Sequence, residues 1–262
     1  MKFTIVICPG AWPRVQFFEP LIQAFEAKHH TAICKVPLTY PVYSPGNTPE
    51  VNPDSEYLRT HVLEPMLEEG RDIVIFMHSY GGVYGPESLE GISKKEREAK
   101  GLKGGVIAII FNAAVIAPKG TTAIAAMGLD SVNLPEWVAH DATGLVAFEK
   151  ERAKAMLFHD LPDEEAERLA NMLPKQSYVC LSTPTHWDPY QDPNFQGTFG
   201  YIFTEADRIV PLEAQQMYVR MAAIEKTHLL KESSHSPHIK RPEELAEAVL
   251  NLVGAIAEGS CA

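Results

Sequence analysis

The chain has 262 residues, 45% of them hydrophobic and 22% charged, which suits one large α/β domain with room for an inserted subdomain. A formal net charge of −11 argues against a nucleic-acid or anionic-membrane surface, and no apolar run is long enough to span a bilayer. Four cysteines (Cys8, Cys34, Cys180, Cys261) are widely spaced with no C-x-x-C pair, so free thiols in the cytosol are expected and a metal site is not.

The N-terminus lacks a signal-peptide cleavage pattern and runs straight into a buried strand, Phe3 to Cys8. Pro9-Gly10-Ala11-Trp12-Pro13 then reads as a turn. Phe17, Leu21, Ile22 and Phe25 form the apolar stripe of a helix over 16–30, and 31–38 reads as a second strand. The proline-dense piece 39–53 is too long to be a simple connector. Asp54-Ser55 is expected to cap a helix that runs to about Glu69, with Leu58, Val62 and Leu67 facing inward.

Ile73 to Met77 is a short apolar run, the mark of a strand buried on both faces. It stops at His78-Ser79-Tyr80, and Gly81-Gly82 lead into a segment that can be helical. A serine at such a corner, with glycine two residues on, has the pattern of a nucleophile elbow. The tight turn strains the serine backbone, so its neighbours two residues away must be small. Gly81 meets that demand and Met77 does not.

Beyond the elbow, Gly85-Pro86 suggests a kink and the lysine-rich 93–103 a solvated connection. Gly105 to Ala117 is another apolar strand. From 118 to 191 the regular alternation breaks down into helical patches at 143–158 and 162–173, read as an insertion. Strands and helices alternate again at 200–204, 211–223, 227–230 and 242–256. This alternation implies a mostly parallel sheet with right-handed crossovers, and ligands gather at the carboxyl ends of such strands.

Asp207 follows the strand ending at Thr204, and His235 follows the strand ending at Leu230. The chain order Ser79, Asp207, His235, each just past a different strand, is that of an α/β-hydrolase triad. A serine hydroxyl is a poor nucleophile until an imidazole takes its proton, and a carboxylate must fix that imidazole's tautomer. The tetrahedral oxyanion needs two preorganised N–H donors. The backbone amide of Tyr80 is one candidate and that of Ala11 the other, with Trp12 as the alternative to Ala11.

With these residues in view, the chain resembles an α/β-hydrolase of the compact branch that includes plant methylesterases, hydroxynitrile lyases and many microbial hydrolases. The likeness covers nearly the whole length and rests on Val6–Trp12, Met77–Gly82, Glu205–Pro211, His235–Pro237 and Arg241–Ala246. It implies a sheet of about six strands flanked by helices, a core of 1–117 and 192–262, and a helical cap at 118–191. The family's usual His-Gly in the oxyanion turn is Pro9-Gly10 here. The cap offers Trp137, His140, Phe158, His159, His186 and Trp187 to line a pocket, with Trp12 from the core. The expected activity is cofactor-independent hydrolysis of an ester or lactone of a largely apolar small molecule. The same triad could instead serve a lyase or cyclase acting on a carbonyl compound, and a ligand receptor on this fold is a third reading. A homodimer is left open.

Overall fold

The computed structural model describes residues 2–12, 15–34, 49–129 and 140–259. Among them the strands in chain order are β1 Thr4–Cys8, β2 Thr31–Cys34, β3 Asp72–His78, β4 Gly105–Asn112, β5 Leu145–Val146, β6 Gln176–Ser177, β7 Phe199–Thr204 and β8 Lys226–Leu230. Six form one sheet in the order β2-β1-β3-β4-β7-β8, with every neighbouring pair parallel. The α/β fold expected from the sequence, a parallel sheet of six strands flanked by helices, is the one the chain adopts.

Every side chain from Ile73 to Met77 in β3 is fully buried. Each such apolar side chain stabilises by about 1.5–3 kcal/mol relative to exposure, which is why this strand sits near the middle of the sheet. The helix Pro242–Gly259 turns Leu245, Val249, Leu252 and Ile256 inward and packs on β7, β8 and the helix Glu19–Ala27. No helix among the described residues is long and apolar enough to cross a membrane.

β1 has β2 on one side and β3 on the other, so the strand order reverses there. Connections leave the two strands in opposite directions and open a crevice above their carboxyl ends. The turn after β1 and the residues after β3 meet in that crevice.

β4 and β7 are neighbours in the sheet, yet residues 113–198 lie between them in sequence. This excursion carries the antiparallel β5–β6 pair and short helices at Ala123–Ala126, Lys150–Leu157, Asp163–Met172 and Tyr178–Ser182. The helix expected over 143–158 is shorter, because 145–146 pair as a strand and Glu149 caps the N–H groups of Glu151 and Arg152. The stretch 93–103 also holds a helix, Lys94–Ala99, capped by the Ser93 hydroxyl on the Glu96 N–H.

A further difference lies before β3. Asn52, not Asp54 or Ser55, caps the helix, its Oδ1 accepting the Asp54 N–H at 3.0 Å. That two-residue shift leaves Asp54 and Ser55 buried instead of at a solvated helix end. The helix then widens into a π-type turn at Leu58–Leu63 and continues to Glu68.

Candidate active site

Ser79 follows β3 with φ +54°, a left-handed conformation that costs a non-glycine residue about 1–3 kcal/mol. Hydrogen bonds hold it there. Its N–H donates to the Asn112 carbonyl at 3.3 Å, and its carbonyl accepts from Gly82 at 3.0 Å and Val115 at 3.1 Å. The helix Gly81–Glu87 then leaves at once. A Cβ on Gly81 would lie 2.2 Å from the Cys8 carbonyl oxygen, so only glycine lets this corner sit against β1. Met77 is accommodated from the far side, because Gly85 leaves room where a Cβ would come within 2.9 Å of the Met77 methyl.

The His235 ring bridges the other two residues. Its Nε2 lies 2.9 Å from Ser79 Oγ, and its Nδ1 lies 2.7 Å from Asp207 Oδ2. Asp207 is itself fixed by four donors. Thr204 Oγ1 donates to Oδ2 at 2.9 Å, while the N–H groups of Ile209 and Val210 donate to Oδ1 at 2.8 and 2.9 Å. Asp207 is thus a turn residue and a partner of the imidazole at once. Burial alone would raise its pKa, but His235 and the two backbone N–H groups outweigh that and hold it below the usual carboxylate value.

A model of the alpha/beta hydrolase family matches residues 5–248. The chain belongs to this family. The alpha/beta hydrolase nvfD of Aspergillus novofumigatus is 23% identical over 261 residues, covering 98% of this chain and 99% of that one. Among solved structures, polyneuridine aldehyde esterase matches with TM-score 0.66 and 14% identity over 96% of this chain and 99% of its own. A pyrethroid hydrolase from Sphingobium faniae matches with TM-score 0.66 and 19% identity over 98% and 100%. At these identities the two structures speak for the fold alone.

In this alpha/beta hydrolase family member, a pocket opens over Ser79 and His235. Its apolar lining is Trp12, Phe17, Leu157, Phe158, Leu173 and Ile209, with Ala11 at the turn. Trp12 and Phe158 were expected from the sequence. Phe17 and Leu173 were legible there only as apolar helix positions, with nothing to say that they face a ligand. Trp137 lies outside the described residues. Three other expected lining residues, His140, His159 and Trp187, are absent from the described lining, as is His186. His140 is exposed and its ring lies 4.4 Å from that of Tyr178. His159 Nε2 donates to the Ala206 carbonyl at 3.0 Å, Trp187 packs on Phe195, and His186 pairs with Glu87. Each is held by a nearer partner.

Two further imidazoles lie beneath His235. His78 Nε2 donates to the His235 backbone carbonyl at 2.7 Å and so staples the end of β3 to the histidine loop. Burial pushes its pKa down to about 3, so the ring is neutral. The His238 ring stacks on Phe18 with centroids 4.2 Å apart, and burial holds its pKa well below the usual value.

Beside the elbow, the Tyr80 hydroxyl lies 2.9 Å from Asp54 Oδ2 and 3.0 Å from the Cys180 carbonyl. Burial pushes the Asp54 carboxyl up to about 7, against the opposing effect of hydrogen bonds from Tyr80 and its neighbours. An unfolded aspartate titrates near about 3.9. The folded chain therefore keeps a proton that the unfolded chain releases in between. This contribution to stability is full below about pH 4 and is lost as pH rises through about 7. Asp54→Asn removes the titration. From pH 5 to 8 the wild type is expected to lose on the order of 3 kcal/mol relative to this variant. Urea unfolding of both proteins at the two pH values reads the difference directly, and parallel curves would place the proton elsewhere.

Proposed function

We propose that this chain is a serine hydrolase that cleaves a carboxylic ester or lactone of a largely apolar small molecule through an acyl-enzyme. The observation that carries this reading is the hydrogen-bonded series Ser79 Oγ, His235 and Asp207 at the foot of a mostly apolar pocket. The names of the fold neighbours, a polyneuridine aldehyde esterase and a pyrethroid hydrolase, point the same way.

The residues then take these roles. Ser79 Oγ attacks the acyl carbon as its proton passes to His235 Nε2. Asp207 holds the Nδ1–H tautomer and stabilises the imidazolium. Among the described residues no acceptor takes the amide hydrogens of Ala11 or Tyr80, and these two N–H groups receive the oxyanion. His235 returns the proton to the leaving alcohol oxygen as the acyl–oxygen bond breaks. Water then attacks the ester on Ser79, giving its proton to His235. Collapse of the second tetrahedral species releases the acid and restores the serine. Water is the only co-substrate this chemistry calls for.

In the same reading, residues 118–191 act as the cap over the pocket, supplying Leu157, Phe158 and Leu173 to hold the acyl or alcohol group by burial. The cytosol fits the buried free thiols Cys8, Cys34 and Cys180.

Treatment with a serine-directed fluorophosphonate, followed by mass spectrometry, is expected to give one adduct on Ser79. Ser79→Ala should abolish the adduct and lower turnover of p-nitrophenyl esters by roughly 10⁴–10⁶-fold. A folded wild type that neither labels nor turns over esters would overturn the hydrolase reading.

A further inference from the structure

Two hydrogen-bonded hooks tie residues 145–180 to the chain on either side of the Ser79 hydroxyl. The first hook is Tyr80. Besides its contacts to Asp54 and Cys180, its hydroxyl receives the Asn52 side-chain N–H at 3.0 Å, and Asn52 also donates to the Cys180 carbonyl at 2.8 Å. All three side chains are buried, with Asn52 fully so. A buried polar cluster of this kind is costly unless its members satisfy one another; here they converge on one phenol, while Asp54 Oδ1 has no hydrogen-bond partner among the described residues.

The second hook is Trp12, the residue after Ala11. Its indole Nε1–H donates to the Val146 carbonyl in β5 at 3.0 Å, and its ring meets Phe148 edge-on at 4.8 Å. The Trp12 backbone N–H also points to Gln176 Oε1 in β6, at a weak 3.5 Å. Trp12 has φ +68°, a conformation that a bulky side chain leaves unless its surroundings fix it. On the other face of the same turn, the Tyr84 hydroxyl donates to the Pro9 carbonyl at 3.2 Å.

Both hooks are adjacent in the chain to the two free amides. The Tyr80 N–H belongs to the hooked residue itself, and the Ala11 N–H is one residue before Trp12. We propose that Tyr80 and Trp12 are positioning residues through which Asn52, Asp54, Cys180 and the β5–β6 pair set the spacing of the two oxyanion donors. This inference rests on the serine-hydrolase reading of Ser79. The excursion between β4 and β7 would then tune the chemical step as well as shape the pocket. An error of a few tenths of an ångström in a donor's place is felt in the transition state far more than in ground-state binding.

Tyr80→Phe removes only the hydroxyl. It is expected to lower kcat by roughly 10- to 100-fold, below the 10²–10³ that loss of a whole donor costs, with KM within about threefold. The rate of Ser79 phosphonylation should fall by the same factor, since the phosphoryl oxygen uses the same donors. Asp54→Asn keeps an acceptor for the hydroxyl and should retain more than ten times the kcat of Asp54→Leu. A purely structural role would lower the melting temperature and leave kcat of the folded protein unchanged. If Tyr80→Phe does not fold, Trp12→Phe, which keeps the ring contact and loses the Nε1–H, reads kcat at the other hook. Wild-type kcat in whichever of these variants folds, with Ser79 still labelled, would overturn the proposal. Absence of labelling in the wild type would instead overturn the hydrolase reading beneath it.

Discussion

Replacing Asp207 by asparagine is expected to lower kcat by about 10⁴-fold while leaving the fold intact. The structure dictates the reason. Two backbone N–H groups, of Ile209 and Val210, point at Oδ1 and need an acceptor there. An asparagine must therefore keep its oxygen on that side and place its NH₂ where Oδ2 now faces His235 Nδ1, 2.7 Å away. Two donors cannot face one another, so the ring shifts its proton to Nε2. Nε2 can then no longer accept the proton of Ser79 Oγ, although the heavy atoms barely move. Thr204 Oγ1, which now donates to Oδ2, can turn to accept from the new NH₂ group. Steady-state kinetics on a p-nitrophenyl ester, beside a thermal melt, separates the two effects. A variant within tenfold of wild type would mean that Asp207 does not set the tautomer of His235.

How much of this was legible in the sequence follows from which residues answer to a period. Buried parallel strands read as apolar runs, so β1, β3 and β4 could be placed within a residue or so at their starts. Once the strands were placed, Ser79, Asp207 and His235 fell at carboxyl ends by counting alone, and the geometry joins all three. The excursion between β4 and β7 has no such period. Its strands are two residues long and several of its helices barely exceed one turn, so residue type was the only guide to its pocket face. Choosing aromatic and histidine side chains from it found Phe158 but took in His140, His159 and Trp187, which are held by Tyr178, Ala206 and Phe195. Asn52 and Asp54 were hidden for another reason. An Asp-Ser pair after a proline reads as a solvated cap, and nothing local says that the cap begins two residues earlier and turns the carboxyl inward to Tyr80.

Tolerance is also narrow at Gly10, and Gly10→Ala is expected to lower kcat by roughly 10²–10³-fold in a protein that still folds. Gly10 does not adopt a left-handed φ, so alanine suits its backbone. The obstacle is contact. An added Cβ would lie 2.8 Å from Ser79 Cβ, 3.1 Å from His78 Nδ1 and 3.3 Å from Ser79 Oγ. Ser79 cannot give way, because its N–H and carbonyl are tied to Asn112, Gly82 and Val115. His78 cannot either, since its other nitrogen holds the His235 carbonyl. The turn from Pro9 to Trp12 must therefore lift, carrying the Ala11 N–H away from the position proposed for the oxyanion by an appreciable fraction of an ångström. Substrate burial against Phe17, Leu157 and Phe158 would be little changed, so KM should move less than kcat. Gly81 is the contrasting case, because there the added Cβ would meet the backbone of β1 itself and the fold would bear the cost. Kinetics on Gly10→Ala with ester pairs of equal acyl group but different leaving alcohol would show one common factor if the lost interaction is with the oxyanion. A loss that changes with the alcohol would place the damage at the leaving-group side of the pocket instead.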